Sequence, residues 1–473
     1  MKKKLLHLSM ASVALLMGGC SDFLDLSMKS DYSPENYFTS EEAAVMAVTG
    51  VYNSLYGARW WIFGDVASDD AVKGGNPGDQ ADIIAIDNFS AASDNGAISE
   101  FWTKTYTTIA QANNVIEYLA PMDIQLRERL IGEAKFIRAF SYFNLVNIFG
   151  KVPYKAMPQV TADAIHVGLS EVDYIYGKIE DDLRAAVSAL PPSYTATDKG
   201  RVTKGAAHAM LAKVLLYQEK YAECLYEIGQ LDSLKLYRLV SSYADLFHSG
   251  AEDSAEVIFG LRFVNTTEVA LGNAFSVWMA PSIDGGYYFN APTQAFVDCF
   301  NEKTVDMEDD PRLDASIGRE GKPWFDGKTF DASWSETGFL VRKYSEENPL
   351  KLPIAQSTVP YHYLRYADVL LMKAEAVSEL GGASAVAEAA TALNRVRSRA
   401  RLSSTTAATP SDMQRAIRTE RRRELGFEFH RFFDLMRWGE TGVLGSDFTW
   451  QGKRSFYFPI PQMEVDANKA LSE

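Results

Sequence analysis

The chain has 473 residues, 47% hydrophobic and 12% aromatic, with a formal net charge of −15. That length holds one large domain or two closely merged ones, with core enough to need no disulfide. The acidic excess repels a phosphate backbone, so binding to nucleic acid through counterion release would need a strong local basic patch.

The N-terminus reads MKKKLLHLSMASVALLMGGC. Lys2, Lys3 and Lys4 precede a short apolar run from Leu8 to Met17, the pattern of an export signal and too short to span a bilayer. Gly18 and Gly19 before Cys20 resemble a bacterial lipobox, although Met17 stands where leucine is usual. The expectation is a lipoprotein signal peptide over 1–19, lipidation at Cys20 and a lipidated tether over 20–38, with only Cys224 and Cys299 left after the anchor. More than one acyl chain would make that anchor stable.

A helix begins near TSEEAAVMAVTGVYNSLY, where Thr39 or Ser40 can cap it and Glu41 and Glu42 suit its first turn. GARWWIFGDVASDDAVKGGNPGDQ follows as a long irregular segment, and loops of that length usually have a function or are disordered. Helical patterning runs from Ile98 to about Tyr221. In EAKFIRAFSYFNLVNIFGKVP, Phe136, Phe140 and Phe143 line one face while Ala139, Tyr142, Val146 and Phe149 line another, so that helix must be buried. Gly150 and Pro153 end it. SEVDYIYGKIEDDLRAAVSALPP and TKGAAHAMLAKVLLYQEKYAECLYEI form a second helix pair. LRYADVLLMKAEAVSELGG and AVAEAATALNRVRSRA repeat the layout, with Ala367, Ala374 and Ala376 permitting close helix approach. Pairs of this size suggest a tetratricopeptide-like array. Between Glu252 and Pro360 the texture changes: AEVIFGLRF reads as a strand, followed by irregular Gly, Pro, Asp and Trp.

ERRRELGFEFHRFFDLMRWG (420–439) mixes arginines with aromatic rings and invites a nucleic-acid reading. On one continuous helix, however, Leu425, Phe429, Phe432 and Met436 form a core stripe. Acids lie one turn from the arginines: Glu420 with Arg423, Arg421 with Glu424, Glu428 with Arg431, Asp434 with Arg437. Such pairs satisfy guanidinium groups internally, so the segment is read as structural and no nucleic acid is expected.

This segment resembles the C-terminal signature of the SusD/RagB family of Bacteroidetes surface lipoproteins. FLDL after Cys20, FTSEEAAVMAVTGVYNSLY, GEAKFIRAFSYFNLVNIFGKVP, RVTKGAAHAMLAKVLLY, LRYADVLLMKAEAV, LNRVRSRA and YFPIPQMEVDAN agree in order and cover nearly the whole mature chain. The resemblance implies a mainly α fold in which tetratricopeptide-like helix pairs form a scaffold beside a large irregular, loop-rich, ligand-binding half. It divides the chain into a SusD-like N-terminal region over 39–250 and a C-terminal region over 251–473, with the loop-rich segment at 260–360. It also implies a non-catalytic protein on the outer face of the outer membrane. Such a protein captures oligosaccharide or polysaccharide, or in some branches peptide, for a SusC-like TonB-dependent transporter. A transporter lid without ligand affinity of its own is a further alternative.

A saccharide presents C–H faces and a rim of hydroxyls, so a binder needs exposed aromatic planes beside polar groups. Two segments supply both. ARWWIFGDVASDD offers Trp60, Trp61 and Phe63 beside Asp65, Asp69 and Asp70; SVWMAPSIDGGYYFN offers Trp278, Tyr287 and Tyr288 beside Asp284 and Asn290. Trp324 and Trp334 are further candidates, whereas Trp102 and Trp438 are assigned to the core and His362 to packing or capping. Asp69–Asp70 and DMEDDPR (306–312) are carboxylate clusters that give a glycosidase reading a hearing, but adjacency in sequence is poor evidence for that geometry. No G-x-S-x-G, H-E-x-x-H or P-loop is present. Ca²⁺, an oxygen-seeking ion, is an alternative at the acid clusters, although they lack an EF-hand-like spacing; otherwise no metal or cofactor is expected.

Overall fold

A computed structural model describes residues 37–158, 161–195, 198–266, 270–345, 357–440 and 457–471. The signal segment 1–19, Cys20 and nearly all of the tether lie outside the described residues. Helix α1 (Glu41–Asn53) starts where expected: the Ser40 hydroxyl accepts from the Ala43 amide at 3.2 Å, and Glu41 and Glu42 occupy the first turn. Helices α2 (Gly96–Leu119), α3 (Arg127–Phe149), α4 (Val172–Ala189), α5 (Lys204–Tyr217) and α6 (Tyr221–Ser233) then pack each on the next. Helices α7 (Tyr366–Leu380) and α8 (Ala385–Arg399) form a further pair, α7 also lying on α5 and α6. The fold is mainly helical and built from such pairs, as the periodicity predicts.

The unusual all-round apolarity of α3 has a physical outlet on every side. Phe136 meets Phe259 edge-on at 5.0 Å, Phe143 meets Tyr217 at 4.9 Å and Tyr142 meets Tyr154 at 4.8 Å. Gly150, at φ +70°, ends the helix with its amide donating to the Val146 carbonyl at 3.0 Å. Ala367, Ala374 and Ala376 are fully buried in α7, where the small side chains let α8 and a further helix, α9 (Pro410–Leu425), approach.

Past residue 250 the chain is irregular, with short strands and single 3₁₀ turns between 251 and 345. Strand β1 (Ala71–Gly74) pairs antiparallel with β3 (Phe289–Pro292) in the register Ala71↔Pro292 and Gly74↔Phe289. Strand β2 (Val257–Leu261), the strand expected in AEVIFGLRF, pairs antiparallel with β4 (Tyr361–Arg365). The β1–β3 ladder thus stitches the N-terminal part to the downstream half, β2–β4 closes a ladder within that half, and one continuous apolar core runs from Ala44 to Phe458.

The 420–439 segment departs from the expected single helix. Helix α9 stops at Leu425, the backbone turns through Phe427 and Phe429 at φ +60° and +66°, and α10 (Arg431–Glu440) begins afresh. Leu425, Phe429, Phe432 and Met436 are all buried nevertheless. Of the expected local ion pairs, Asp434–Arg437 forms at 2.9 Å and Glu420–Arg423 only at 3.9 Å. Arg421 bonds Asp368 and Asp434, Glu428 bonds Arg365 and Lys343, and Arg431 bonds Asp69. The break at Gly426 turns acids and bases away from their helical neighbours towards partners elsewhere in the chain.

The result is a buried charge network. Glu424 accepts from Arg312, Arg365 and Arg399, and Arg312 also bonds Asp310 and Glu420 at 2.6 Å. Burial alone would raise the pKa of Glu424, but the three guanidinium groups hold its carboxyl well below the usual range. Removing one member of such a cluster leaves uncompensated buried charge. Glu424→Ala is therefore expected to destabilise the protein by about 3–5 kcal/mol, measured by denaturant unfolding followed by circular dichroism.

Candidate functional site

The segment Trp60–Asp70 is not the exposed ligand loop expected from its composition. Trp60 lies within the core, stacked on Tyr361 at 5.6 Å, and Phe63 packs on Phe101 at 4.9 Å and Phe458 at 5.4 Å. Trp61 is 1% exposed. Residues Ile62–Val66 make a π-helical turn in which every residue is buried, and a Cβ added at Gly64 would overlap the Phe429 backbone. Trp60, Trp61 and Phe63 are thus corrected from stacking candidates to core, because each ring is enclosed by aromatic partners that come from distant parts of the chain.

The acids of the same segment are bound internally as well. Both oxygens of Asp69 accept from Arg431, at 2.7 and 2.9 Å, and Asp70 accepts from Arg422 at 2.5 Å. Asp65 is fully buried, accepting from the Asn290 side chain at 2.9 Å and the Phe429 amide at 3.2 Å. Asp284 is held by the Trp324 indole N–H at 3.0 Å and by Lys328. Asp65, Asp70, Asp284 and Asn290 are therefore corrected from ligand-facing groups to structural ones; Asp69 alone keeps partial exposure. In 306–312, Asp309 bonds Lys303 and Arg319 while Asp310 caps a short helix and bonds Arg312. Among the described residues, no group of three or more His, Cys, Asp or Glu side chains is arranged to hold a metal ion.

The second aromatic segment does reach the surface. Tyr287 is 42% exposed, and Trp278, Tyr288 and Trp334 are half-buried. They stand on a stair of rings: Tyr287 stacks on Phe289 at 5.8 Å and 24°, and Phe289 stacks on Trp61 at 6.1 Å and 13°. Trp61 also touches Trp278 at 5.9 Å. The Arg59 guanidinium covers one side of Trp278, and the Lys73 ammonium lies 5.2 Å from the Phe289 centroid. Buried Trp61 is thus the underside of a platform whose top is Tyr287 and Trp278.

Backbone bonds fix that platform. The Tyr287 amide donates to the Val277 carbonyl and the Tyr288 amide to the Ala280 carbonyl, both at 2.9 Å. Gly75 donates to the Tyr288 carbonyl at 3.0 Å, and the Tyr288 hydroxyl donates to Asn76 at 2.6 Å. Tyr288, Phe325 and Trp334 then pack on a satellite cluster of Trp324, Phe330 and Leu340, which extends the aromatic face. Trp324 itself is buried and is corrected to a supporting role. Trp102 and Trp438 are core, as expected, and His362 is buried with Nε2 2.8 Å from the Leu246 carbonyl. Phe325 and Asn76 were not singled out from the sequence, where the stretch holding Asn76 reads only as part of a long irregular segment.

Burial raises the Asp65 carboxyl to about 8, opposed by the hydrogen bond from Asn290. Its folded form keeps a proton that the unfolded chain loses near the ordinary Asp value of about 3.9. Stability from this group is therefore full below that value and declines as pH rises towards 8. Asp65→Asn is expected to flatten the stability profile between pH 4 and 8, measured by urea midpoints across that range. Trp61→Ala is expected to destabilise by about 3–5 kcal/mol through an unfilled core site, in contrast to the loss of affinity alone that an exposed ring would give.

Comparison with known proteins agrees with this architecture. The family model described as the SusD family matches residues 255–473, and one described as starch-binding associating with outer membrane matches residues 22–216. A SusD-like protein of Bacteroides ovatus is 27% identical over 93% of this chain and 83% of its own length. One of Formosa agariphila is 26% identical over 96% and 95%. The crystal structure of a SusD superfamily protein from Bacteroides vulgatus superposes with a TM-score of 0.81 at 25% identity, covering 92% of this chain and 98% of that one. A laminarin-binding SusD-like protein gives 0.76 at 26% identity, covering 91% and 98%. Two family models placed end to end, full-length relatives and a shared fold lead to one conclusion: the chain belongs to the SusD/RagB family.

Proposed function

We propose that this protein is a non-enzymatic glycan-binding lipoprotein of the outer membrane. In this reading it is anchored at the cell surface through Cys20 and passes oligosaccharide to a SusC-like TonB-dependent transporter. The observation that carries the binding role is the ring stair, in which exposed Tyr287 and half-buried Trp278 rest on buried Phe289 and Trp61. Rings fixed from below offer flat C–H-binding faces without further loss of side-chain freedom. Neighbouring Tyr288 and Trp334 lengthen the face beyond a single sugar. The laminarin-binding and starch-binding descriptions of its relatives support a saccharide as the ligand class.

A hydrolytic role finds no support in the carboxylates. Glycosidases need two carboxyl groups facing a shared bond, one of them free to take part in proton transfer. Here Asp69 and Asp70 are engaged by Arg431 and Arg422, and Asp284 by Trp324 and Lys328.

Titration of intrinsic tryptophan fluorescence with neutral oligosaccharides and with peptides tests the reading. A saturable change with one glycan class is expected, and Trp278→Ala and Tyr287→Ala should each weaken it about tenfold, equivalent to about 1.4 kcal/mol, in variants shown by circular dichroism to remain folded. A response to peptides alone would replace the glycan by peptide; unchanged affinity in both folded variants would remove the platform as the site.

A further inference from the structure

Arg59, at the edge of the platform, is placed differently from the arginines of the charge network. Arg422 and Arg431 hold Asp70 and Asp69 at 2.5 and 2.7 Å. The Arg59 guanidinium instead lies 5.5 Å from the Trp278 ring centroid, and its ion-pair partner, Glu100, is 3.7 Å away. That separation is too long for a hydrogen bond, and the Arg59 side chain donates none among the described residues. The side chain is 34% exposed, and none of its nitrogens is sealed from water.

A second cation stands close by. Lys104 follows Glu100 by one turn of α2, and its Nζ lies 3.4 Å from the point where a Cβ on Gly57 would sit, two residues before Arg59. Lys104 makes no hydrogen bond or ion pair among the described residues, and its Nζ is also open to water. Two accessible cations thus answer to one carboxylate. The other end of the platform has the opposite sign. Lys73 is buried beside Phe289 with its ammonium bonded to the Asn76 carbonyl at 2.9 Å, and the charges of Asp79, Glu336 and Asp87 act on it. Three acids around one buried cation leave Tyr288 and Trp334 on the acidic side.

A guanidinium lying along an indole keeps its position at little cost and offers a planar fork that fits a carboxylate or a sulfate. A wholly neutral saccharide would leave that fork unanswered. The polarity along the face also gives a ligand direction, because an anion at the Tyr288 end would meet Asp79 and Glu336.

We infer that Arg59, assisted by Lys104, selects a glycan whose ring at the Trp278 end carries an anion, a uronate carboxylate or a sulfate ester, while neutral rings extend towards Tyr288. This rests on the platform being the glycan site. Isothermal titration calorimetry with matched pairs tests it: oligogalacturonate and oligomannuronate, each against its methyl ester, and a κ-carrageenan tetrasaccharide against its desulfated form. The expected result is binding of the anionic member about tenfold tighter or more in at least one pair, and the pair that responds distinguishes carboxylate from sulfate. That ratio should fall to about threefold or less in folded Arg59→Gln, and likewise in about 1 M salt, where the screening length shrinks to about 3 Å. A change in the ratio, rather than in affinity alone, separates recognition from a structural role. Lys104→Gln, expected to lower the ratio by a smaller factor, keeps the test open if Arg59→Gln does not fold. Equal binding of anionic and neutral members, or a ratio that survives both substitutions, overturns the inference and leaves the platform as a glycan site; no binding by any of these saccharides overturns both.

Discussion

Everything in this fold leans on the desolvation of charge around the break between α9 and α10. Arg312, Arg365 and Arg421 are almost completely buried, and a guanidinium stripped of water is tolerable only with its donors matched. Glu420, Glu424, Glu428, Asp368 and Asp434 provide that match from several parts of the chain. The geometry needs the positive φ at Phe427 and Phe429, because a continuous helix would send Glu428 and Arg431 to the wrong neighbours. The same break aims the Phe429 amide at Asp65 and leaves Arg422 and Arg431 free to hold Asp70 and Asp69.

From there the consequence passes to the surface. The clamped 60–70 segment places Trp61 beneath Phe289 and leads directly into β1, whose pairing with β3 fixes the backbone next to Tyr287 and Tyr288. Only then do Tyr287 and Trp278 gain a rigid underside. The proposed binding face, far from the charge network in sequence, thus depends on it through a short chain of packed and hydrogen-bonded parts. The irregular half can dispense with long strands because side-chain ion pairs and stacked rings do the work of a larger sheet.

Helix positions were legible because they rest on local physics. Ser40 capping α1, the all-round apolarity of α3 and Gly150 closing it are each written within a few residues. The burial of Trp60, Trp61 and Phe63 was not, since an aromatic residue in a Gly- and Asp-rich stretch looks the same whether its partners are water or distant rings. Trp61 is enclosed by Phe289 and Trp278, and Trp60 by Tyr361 and Phe140. Likewise, Arg421 and Glu428 sit at helical spacing from suitable partners, and the apolar stripe continuing past Gly426 outweighed the local stop signal which that glycine gives. Composition picked out the second segment, whose Tyr287 and Trp278 do reach the surface, but Asp284 and Asn290 beside it proved to be internal braces.

The measurement that reaches the centre of this picture is a crystal structure of the protein with a bound oligosaccharide identified by fluorescence titration. The expected result is a sugar ring lying flat over Tyr287 or Trp278, with further rings running towards Tyr288 and Trp334 and with Trp61 and Asp69–Asp70 undisturbed beneath. Sugar seated on Trp60, Trp61 and Phe63 after opening of the 60–70 segment would contradict it, because the charge network would then be holding a gate rather than a fixed foundation.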